Sequence, residues 1–212
     1  MEYLHWKEEK INDDSPETIY RMYDNGFVFT RLGKNIMHQT RSVRVNLEKF
    51  ALSSENRRIL KKGQEISIEE HSIPYSGYSW EIGKFAKDFY DQKAGGAFSA
   101  NKIKELLTID HNFNTLFSYS SLGYAICYKN HKMLHYSYPF YDLGKSPKDM
   151  GLIMMTKTLS EAQTLGLKYV YLGSLQRPTD TYKLQFSGIE WFDREKWQSD
   201  LEKIKTILHG TK

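Results

Sequence analysis

The chain has 212 residues, of which 40% are hydrophobic and 26% charged, so it can bury a core as one large domain or two small ones and is not a disordered protein. No apolar run approaches the ~20 residues of a membrane-spanning helix, and we expect neither a signal peptide nor a membrane partner. The single cysteine, Cys127, excludes an intrachain disulfide and a cysteine-rich zinc or iron–sulfur site, which favours a cytoplasmic location.

The net charge of +4 is compatible with a polyanionic partner but does not require one. The seven histidines show no metal-ligand spacing, so we expect no catalytic metal, and we expect no other cofactor.

The first predicted elements are a helix and two extended segments. Ser15-Pro16-Glu17 combines a serine cap, a proline at the first helical position and an acidic first turn, and Asn25-Gly26 ends this helix. Residues 27–30 predict a short strand. Residues 36–47 predict an extended run in which polar and apolar residues alternate, as in a half-buried strand.

A basic helix is predicted over residues 50–62, with Ser53 or Ser54 near its start and Gly63 after it. Arg57 and Lys61 are four residues apart, as are Arg58 and Lys62, so four cations share one flank of its final turns. Cations at a helix C-terminus also complement the helix dipole, whereas binding of nucleic-acid phosphates is the functional alternative.

The remaining chain predicts a mixed sheet. The predicted elements are a strand over 65–73, a helix over 80–90, a break at 94–97, a helix capped by Ser99, strands over 113–119, 123–128 and 133–143, a helix over 146–166, a strand over 168–173 and a final helix over 194–208. Three sequential strands followed by a crossover helix and another strand predict a mixed α/β (α+β) fold.

The crossover helix has a distinctive start. Ser146, Pro147 and Asp149 predict a capping box, and Lys145 and Lys148 add positive charge to a helix start that could bind phosphate. A strand, a crossover helix and a parallel strand form the core of the acetyltransferase (GNAT) fold. The turn over residues 143–151 nevertheless lacks the Gln/Arg-x-x-Gly-x-Gly/Ala pattern typical of acetyl-CoA enzymes.

An ordered set of motifs resembles the arginyl/leucyl-tRNA–protein transferases. The motifs are Ser42-Val43-Arg44-Val45, Ser53-Ser54-Glu55-Asn56-Arg57-Arg58, Phe140-Tyr141-Asp142, Tyr169-Val170-Tyr171-Leu172-Gly173 and Tyr182-Lys183-x-x-Phe186, within residues 15–192. The chain lacks the family's cysteine cluster before the first motif. Residues 174–181 also replace most of the family's basic segment.

The resemblance implies an enzyme of acetyltransferase-like fold whose donor is an aminoacyl-tRNA. The acceptor would be the free amine of a protein N-terminus, often acidic in its first residue, and the product would be marked for degradation. A single compact unit over residues 1–212 is expected, with an N-terminal segment over 1–98 that carries the basic helix and an acyl-transfer core over 99–212.

Each candidate catalytic residue has a functional and a structural interpretation. Asp142 could hold the acceptor ammonium or relay its proton, or it could be a turn aspartate. Tyr171 and Tyr182 could donate to the oxyanion or stack on the terminal adenine, or they could pack in the core. His135 is predicted to be a hydrogen-bonded sheet histidine and not a base.

The candidate binding residues are Arg44, Tyr141, Tyr169 and Lys183 for substrate, and Arg57, Arg58, Lys61, Lys62, Lys145, Lys148 and Arg177 for tRNA. Arg44 could bind an acidic N-terminal residue or pair with a local carboxylate. Lys183 and Arg177 could contact the terminal phosphates or lie in a solvated loop. Two other functions remain open, namely an acyl-CoA-dependent N-acyltransferase and a non-catalytic module that binds tRNA or protein N-termini.

Overall fold

The computed structural model describes residues 3–94, 96 and 98–210, so residues 95 and 97 of the predicted break lie outside the described residues. The helices are α1 (Pro16–Asp24), α2 (Ser54–Lys62), α3 (Trp80–Ala94), α4 (Ala100–Thr108), α5 (Met150–Thr164) and α6 (Leu201–Gly210), with a 3₁₀ helix over Pro178–Gln185. The strands are β1 (Lys7–Lys10), β2 (Phe27–Phe29), β3 (Ile36–Gln39), β4 (Ser42–Asn46), β5 (Ile68–Ser72), β6 (Thr115–Tyr119), β7 (Gly123–Lys129), β8 (Met133–Tyr141), β9 (Tyr169–Ser174), β10 (Ile189–Phe192) and β11 (Trp197–Gln198).

The chain forms two compact units, and each unit is built from more than one segment of the chain. The first unit comprises Met1–Ser54, Asn130–His135 and Ala162–Lys212, and the second comprises Glu55–Lys129 and Tyr136–Glu161. The expected boundary between residues 98 and 99 falls within the second unit. The expected division into a family segment and an acyl-transfer core stays a prediction.

The first unit contains two sheets. A small antiparallel sheet has the order β1-β3-β2, and the other strands follow the order β11-β10-β4-β9 and then the start of β8. β9 pairs in parallel with β8 on one side and antiparallel with β4 on the other. The predicted fold class, a mixed α/β sheet with flanking helices, is therefore confirmed.

The second unit contains the antiparallel strands β5, β6 and β7, with the later part of β8 beside β7. The side chains of Met150, Ile153 and Met154 at the start of α5 are buried, with no exposed surface. Gly63 follows α2 and lies so close to α5 that a Cβ atom there would meet the side chain of Ile153 at 2.4 Å. This close approach explains why a glycine follows the last residue of α2, Lys62.

The predicted caps are confirmed for α1 and α4. The hydroxyl of Ser15 accepts the amide of Thr18, and the hydroxyl of Ser99 accepts the amide of Lys102. These caps follow from local chemistry, because each serine satisfies an amide that the first helical turn leaves unpaired.

Three local predictions are wrong. The run over residues 36–47 is two strands, β3 and β4, and β4 is buried at all five positions instead of being half-buried. The basic helix α2 begins at Ser54 and not at residue 50. α6 begins at Leu201, because the preceding residues Trp197–Gln198 form β11.

The predicted capping box at Ser146 is also wrong. α5 begins at Met150, and the amide of Ser146 donates to the carbonyl of Asp142 in the preceding turn. The hydroxyl of Ser146 is buried and has no hydrogen-bond partner among the described residues. The turn over residues 147–149 therefore displaces the helix start from the predicted serine.

None of the helices in the described part of the chain combines the length and the apolar composition that a bilayer crossing requires.

Candidate functional site

The carboxyl end of β9 carries the best candidate site in the first unit. The parallel pairing of β8 and β9 joins Met133 to Tyr169, Leu134 to Val170 and His135 to Tyr171, and β9 then continues to Ser174. Carboxyl ends of parallel strands are the usual location of ligand sites in α/β sheets. We define the β9-end site as His135, Ser174, Tyr182 and Lys183.

Lys183 contributes an unusual amine to this site. Its half-buried side chain returns from the 3₁₀ helix to the end of β9, where Nζ donates to the carbonyl oxygen of Ser174 at 2.8 Å. Among the described residues, no carboxylate forms an ion pair with Lys183. Burial lowers the pKa of Lys183, and the nearby charge of Asp180 opposes that shift only in part.

His135 is the buried neighbour of this amine. Its Nδ1 atom lies 2.7 Å from the hydroxyl of Tyr23, which also accepts the amide of Phe29. Burial lowers the pKa of His135 to about 3, and the positive charge of Lys183 contributes to the shift. The imidazole is therefore neutral at physiological pH, in agreement with its interpretation as a hydrogen-bonded sheet histidine.

Tyr182 and Arg177 lie on the exposed side of the same segment. Tyr182 is 47% exposed, and its ring centre is 5.8 Å from Nζ of Lys183. Arg177 is exposed just before the 3₁₀ helix, whose start is fixed by the Asp180 carboxylate accepting the amides of Gln176 and Arg177 at 2.7 and 2.9 Å. The replaced segment over residues 174–181 is thus an ordered structure that positions Tyr182 and Lys183.

Arg44 lies in a buried cluster of carboxylates and aromatic rings. Its guanidinium contacts Asp24 and Glu190 at 2.8 Å each, and its carbon Cζ lies 3.9 Å from the ring centres of both Tyr169 and Trp197. Arg44 is 5% exposed, so these partners enclose it. The geometry therefore favours the local-carboxylate alternative over binding of an acidic N-terminal residue.

Tyr169 and Tyr171 belong to the same buried cluster. Tyr171 has no exposed surface, its hydroxyl accepts a hydrogen bond from Arg44 at 3.3 Å, and burial raises its pKa well above the ordinary value. Tyr169 is 7% exposed. Neither tyrosine has access to a substrate in this structure, and the core-packing alternative describes both.

Asp142 lies in the second unit, in the turn after β8. Its Oδ1 atom accepts the amides of Gly144 and Lys145 at 2.9 Å each, which is the geometry of the turn-aspartate alternative. The ammonium of Lys145 is exposed and lies 4.0 Å from the other carboxylate oxygen. Tyr141, the neighbouring candidate, is half-buried against Phe89 at a ring-centre distance of 4.8 Å.

The predicted tRNA-binding residues of α2 meet the start of α5 within the second unit. Lys62 forms an ion pair with Asp149, and Arg58 forms one with Glu55 on its own helix. Hydrogen bonding from Lys62 lowers the pKa of Asp149, and Arg58 and Lys148 add to that effect. Arg57, Lys61 and Lys148 are exposed.

Two other chemistries find no support in the described residues. Cys127 is fully buried, and burial raises the pKa of its thiol far above the ordinary value, so it is a poor nucleophile. Within residues 3–94, 96 and 98–210, no three His, Cys, Asp or Glu side chains are grouped to hold a metal ion.

Sequence reasoning missed the partners that define these environments. Asp24, Glu190 and Trp197 enclose Arg44, and Asp149 was predicted only as part of a cap. Asp24 and Glu190 are 20 and 146 residues from Arg44 in the chain, so no local spacing could identify them.

No protein-family model and no curated protein matches the chain. Among solved structures, the chain is similar to L-PGS from Bacillus licheniformis, with 14% identity and a TM-score of 0.45 over 76% of this chain and 52% of that one. It is similar to FemX, with 10% identity and a TM-score of 0.46 over 76% of this chain and 60% of that one. It is also similar to a GCN5-related glucosamine N-acetyltransferase region of a fungal multi-domain GH3 β-N-acetylglucosaminidase, with 8% identity and a TM-score of 0.48 over 86% of this chain and 22% of that one.

The chain thus spans between about a fifth and three fifths of these structures' own lengths. At these identities and TM-scores, none of the likenesses supports a statement about the activity of this chain.

Proposed function

We propose that the protein is an aminoacyltransferase that moves an arginyl or leucyl group from charged tRNA to the N-terminal amine of a protein, marking that protein for degradation as in an N-degron pathway. The observation that carries the proposal is the β9-end site. It combines the carboxyl end of a parallel strand pair, a half-buried amine that forms no ion pair with a carboxylate of the described residues, and an exposed aromatic ring beside that amine.

This combination suits aminoacyl transfer to an amine. The reaction joins two bound substrates, so the enzyme's main contributions are positioning, proton transfer and stabilisation of the oxyanion. The exposed ring of Tyr182 would stack on the terminal adenine, and the exposed Arg177 would contact a terminal phosphate. The ordered motifs that resemble the arginyl/leucyl-tRNA–protein transferases support the same donor and acceptor.

Cations of α2 and of the turn before α5 would supply electrostatic contacts to tRNA. Arg57, Lys61 and Lys148 are exposed, and Arg58 and Lys62 form ion pairs with Glu55 and Asp149. Contacts from such cations to phosphates position a nucleic acid without reading its sequence.

An acyl-CoA-dependent N-acyltransferase is a weaker candidate. The carboxylate of Asp149 lies immediately before the first residue of α5, where a CoA pyrophosphate would meet the helix amides in this type of fold. A negative charge at that position opposes phosphate binding, and the turn over residues 143–151 lacks the acetyl-CoA pattern.

The decisive experiment offers the full chain tRNAs charged with labelled arginine or leucine and a peptide that begins with aspartate. We expect label in this peptide and none in the same peptide with an acetylated N-terminus, because only the free amine can attack the ester. Absence of transfer from arginyl-, leucyl- and all other charged tRNAs would refute the proposal. Thermal stabilisation by acetyl-CoA in that case favours the N-acyltransferase, and tRNA binding without transfer favours the binding module.

A further inference from the structure

The amine of Lys183 differs from the other lysines for which the structure shows contacts. Lysines such as Lys62, Lys84 and Lys129 direct Nζ to a carboxylate, whereas Nζ of Lys183 donates to a single backbone carbonyl, that of Ser174. A carbonyl oxygen accepts a hydrogen bond from a neutral amine as well as from an ammonium. The local structure therefore does not require Lys183 to be charged.

In the part of the chain that the structure describes, the titratable groups near this amine are His135, Asp180 and Tyr182. His135 on β8 is neutral and cannot balance a positive charge. Asp180 is on the same 3₁₀ helix, but one of its oxygens already accepts two amides at the start of that helix. Tyr182 contributes its ring at 5.8 Å. A protonated Lys183 is thus poorly compensated, while the neutral form keeps a lone pair available.

The proposed reaction needs such a group. A protein α-amino group has a pKa of ~7.7–8.0, so at neutral pH most acceptors arrive as ammonium ions that cannot attack an ester. Asp142 is another candidate to accept this proton, but its Oδ1 atom already accepts the two turn amides of Gly144 and Lys145.

We propose that Lys183 is the catalytic base that deprotonates the acceptor ammonium, an inference that rests on the proposed function. The acceptor transfers one proton to Nζ of Lys183, and its neutral nitrogen then forms a bond to the carbonyl carbon of the aminoacyl ester. As the bond from that carbon to the ribose oxygen breaks, a second proton of the nitrogen passes to the leaving oxygen. Lys183 then releases its proton to water, which restores the neutral amine for the next reaction.

The test compares Lys183→Arg and Lys183→Met with wild type and with Lys205→Met, a control that removes an α6 lysine paired to Glu202. Arginine keeps a positive charge and hydrogen-bond donors but does not give up its proton. We expect both Lys183 variants to lose at least ~100-fold in kcat with a nearly unchanged KM for charged tRNA, and the control to retain its activity. Melting curves verify that the variants are folded.

A chemical rescue then separates base catalysis from a structural role. In Lys183→Cys, the introduced thiol can be alkylated with 2-bromoethylamine, while the only native cysteine, Cys127, is buried and protected by a raised thiol pKa. The product carries an amine less basic than that of lysine because of its thioether sulfur. We expect alkylation to restore transfer and to move the alkaline rise of kcat to a lower pH than in wild type.

The two proposals fail in different ways. If wild type transfers an aminoacyl group and Lys183→Arg transfers it equally well, or if alkylation restores the rate without moving the pH profile, Lys183 is not the base although the proposed function stands. If wild type transfers nothing from any charged tRNA, the proposed function fails, and the base role assigned to Lys183 fails with it.

Discussion

At the scale of single residues, Arg44 shows how β4 can bury a charged side chain. The side chain of Glu190 is 15% exposed. Two cations compensate its negative charge: Arg44, and the largely exposed Lys49, whose Nζ atom lies 3.6 Å from a carboxylate oxygen of Glu190. We expect Arg44→Met to lower the free energy of unfolding by about 3 kcal/mol, because it leaves the Glu190 carboxylate poorly compensated. Urea denaturation measures the change.

The matched control for this prediction is Arg58→Met, which removes an exposed ion pair with Glu55 on α2. Exposed ion pairs are screened by solvent and contribute little to stability, so the control should change the free energy of unfolding only slightly. Equal effects of the two substitutions would show that the cluster around Arg44 is not an important source of stability.

His135 makes stability depend on pH in a defined direction. Its pKa is lowered from 6.5 to about 3 in the folded chain, so between these values the unfolded chain binds more protons. Stability should therefore fall as pH is lowered through this window, by about 1.4 kcal/mol per pH unit from this group alone. When unfolding is measured at several pH values in this window, the free energy of unfolding of wild type should fall by about 1.4 kcal/mol more per pH unit than that of His135→Gln.

The matched substitution is His131→Gln, which also removes one histidine, but at the surface beside Glu17. It separates the effect of the buried position from that of losing any histidine. A wild-type slope equal to that of His135→Gln would mean that His135 titrates normally in the folded chain.

At the scale of elements, α2 allows the tRNA hypothesis to be tested apart from catalysis. We expect Arg57→Glu combined with Lys61→Glu to weaken tRNA binding and to reduce its dependence on salt, because fewer counterions are released when fewer cations meet phosphates. Filter binding at several salt concentrations measures both quantities. The control is Lys203→Glu combined with Lys205→Glu, which makes the same change of net charge on α6. If the control weakens tRNA binding equally, the loss reflects the net charge of the protein and not a contact made by α2.

Local signals in the sequence predict elements, but long-range partners decide their details. Ser15 and Ser99 were sufficient to predict the starts of α1 and α4, because a cap acts within four residues. The same logic failed at Ser146, because the turn over residues 147–149 separates this serine from the start of α5 at Met150.

The candidate site was predictable only in part, for the same reason. The sequence identified Tyr182 and Lys183 as a motif, but the position of the amine depends on Ser174, nine residues away and on another element. The alternation in β4 predicted an exposed face, whereas carboxylates from elsewhere in the chain allow Arg44 to be buried.

At the scale of the whole molecule, the chain passes through both compact units more than once. The first unit takes three segments and the second takes two, so neither can be excised as a continuous piece. In particular, β4 in the N-terminal part of the chain lies between β9 and β10 from the C-terminal part.

This interleaving predicts that residues 99–212, expressed alone, will not fold. The fragment lacks β4, which leaves β9 and β10 without their shared neighbour, and it lacks β5, which pairs with five residues of β6. Each loss exposes unpaired backbone groups and apolar side chains to water. Amide NMR spectra should show poor dispersion for the fragment and good dispersion for the full chain, while co-expression with residues 1–98 should restore the folded spectrum. A fragment that unfolds cooperatively by itself would instead show that an autonomous core begins at residue 99.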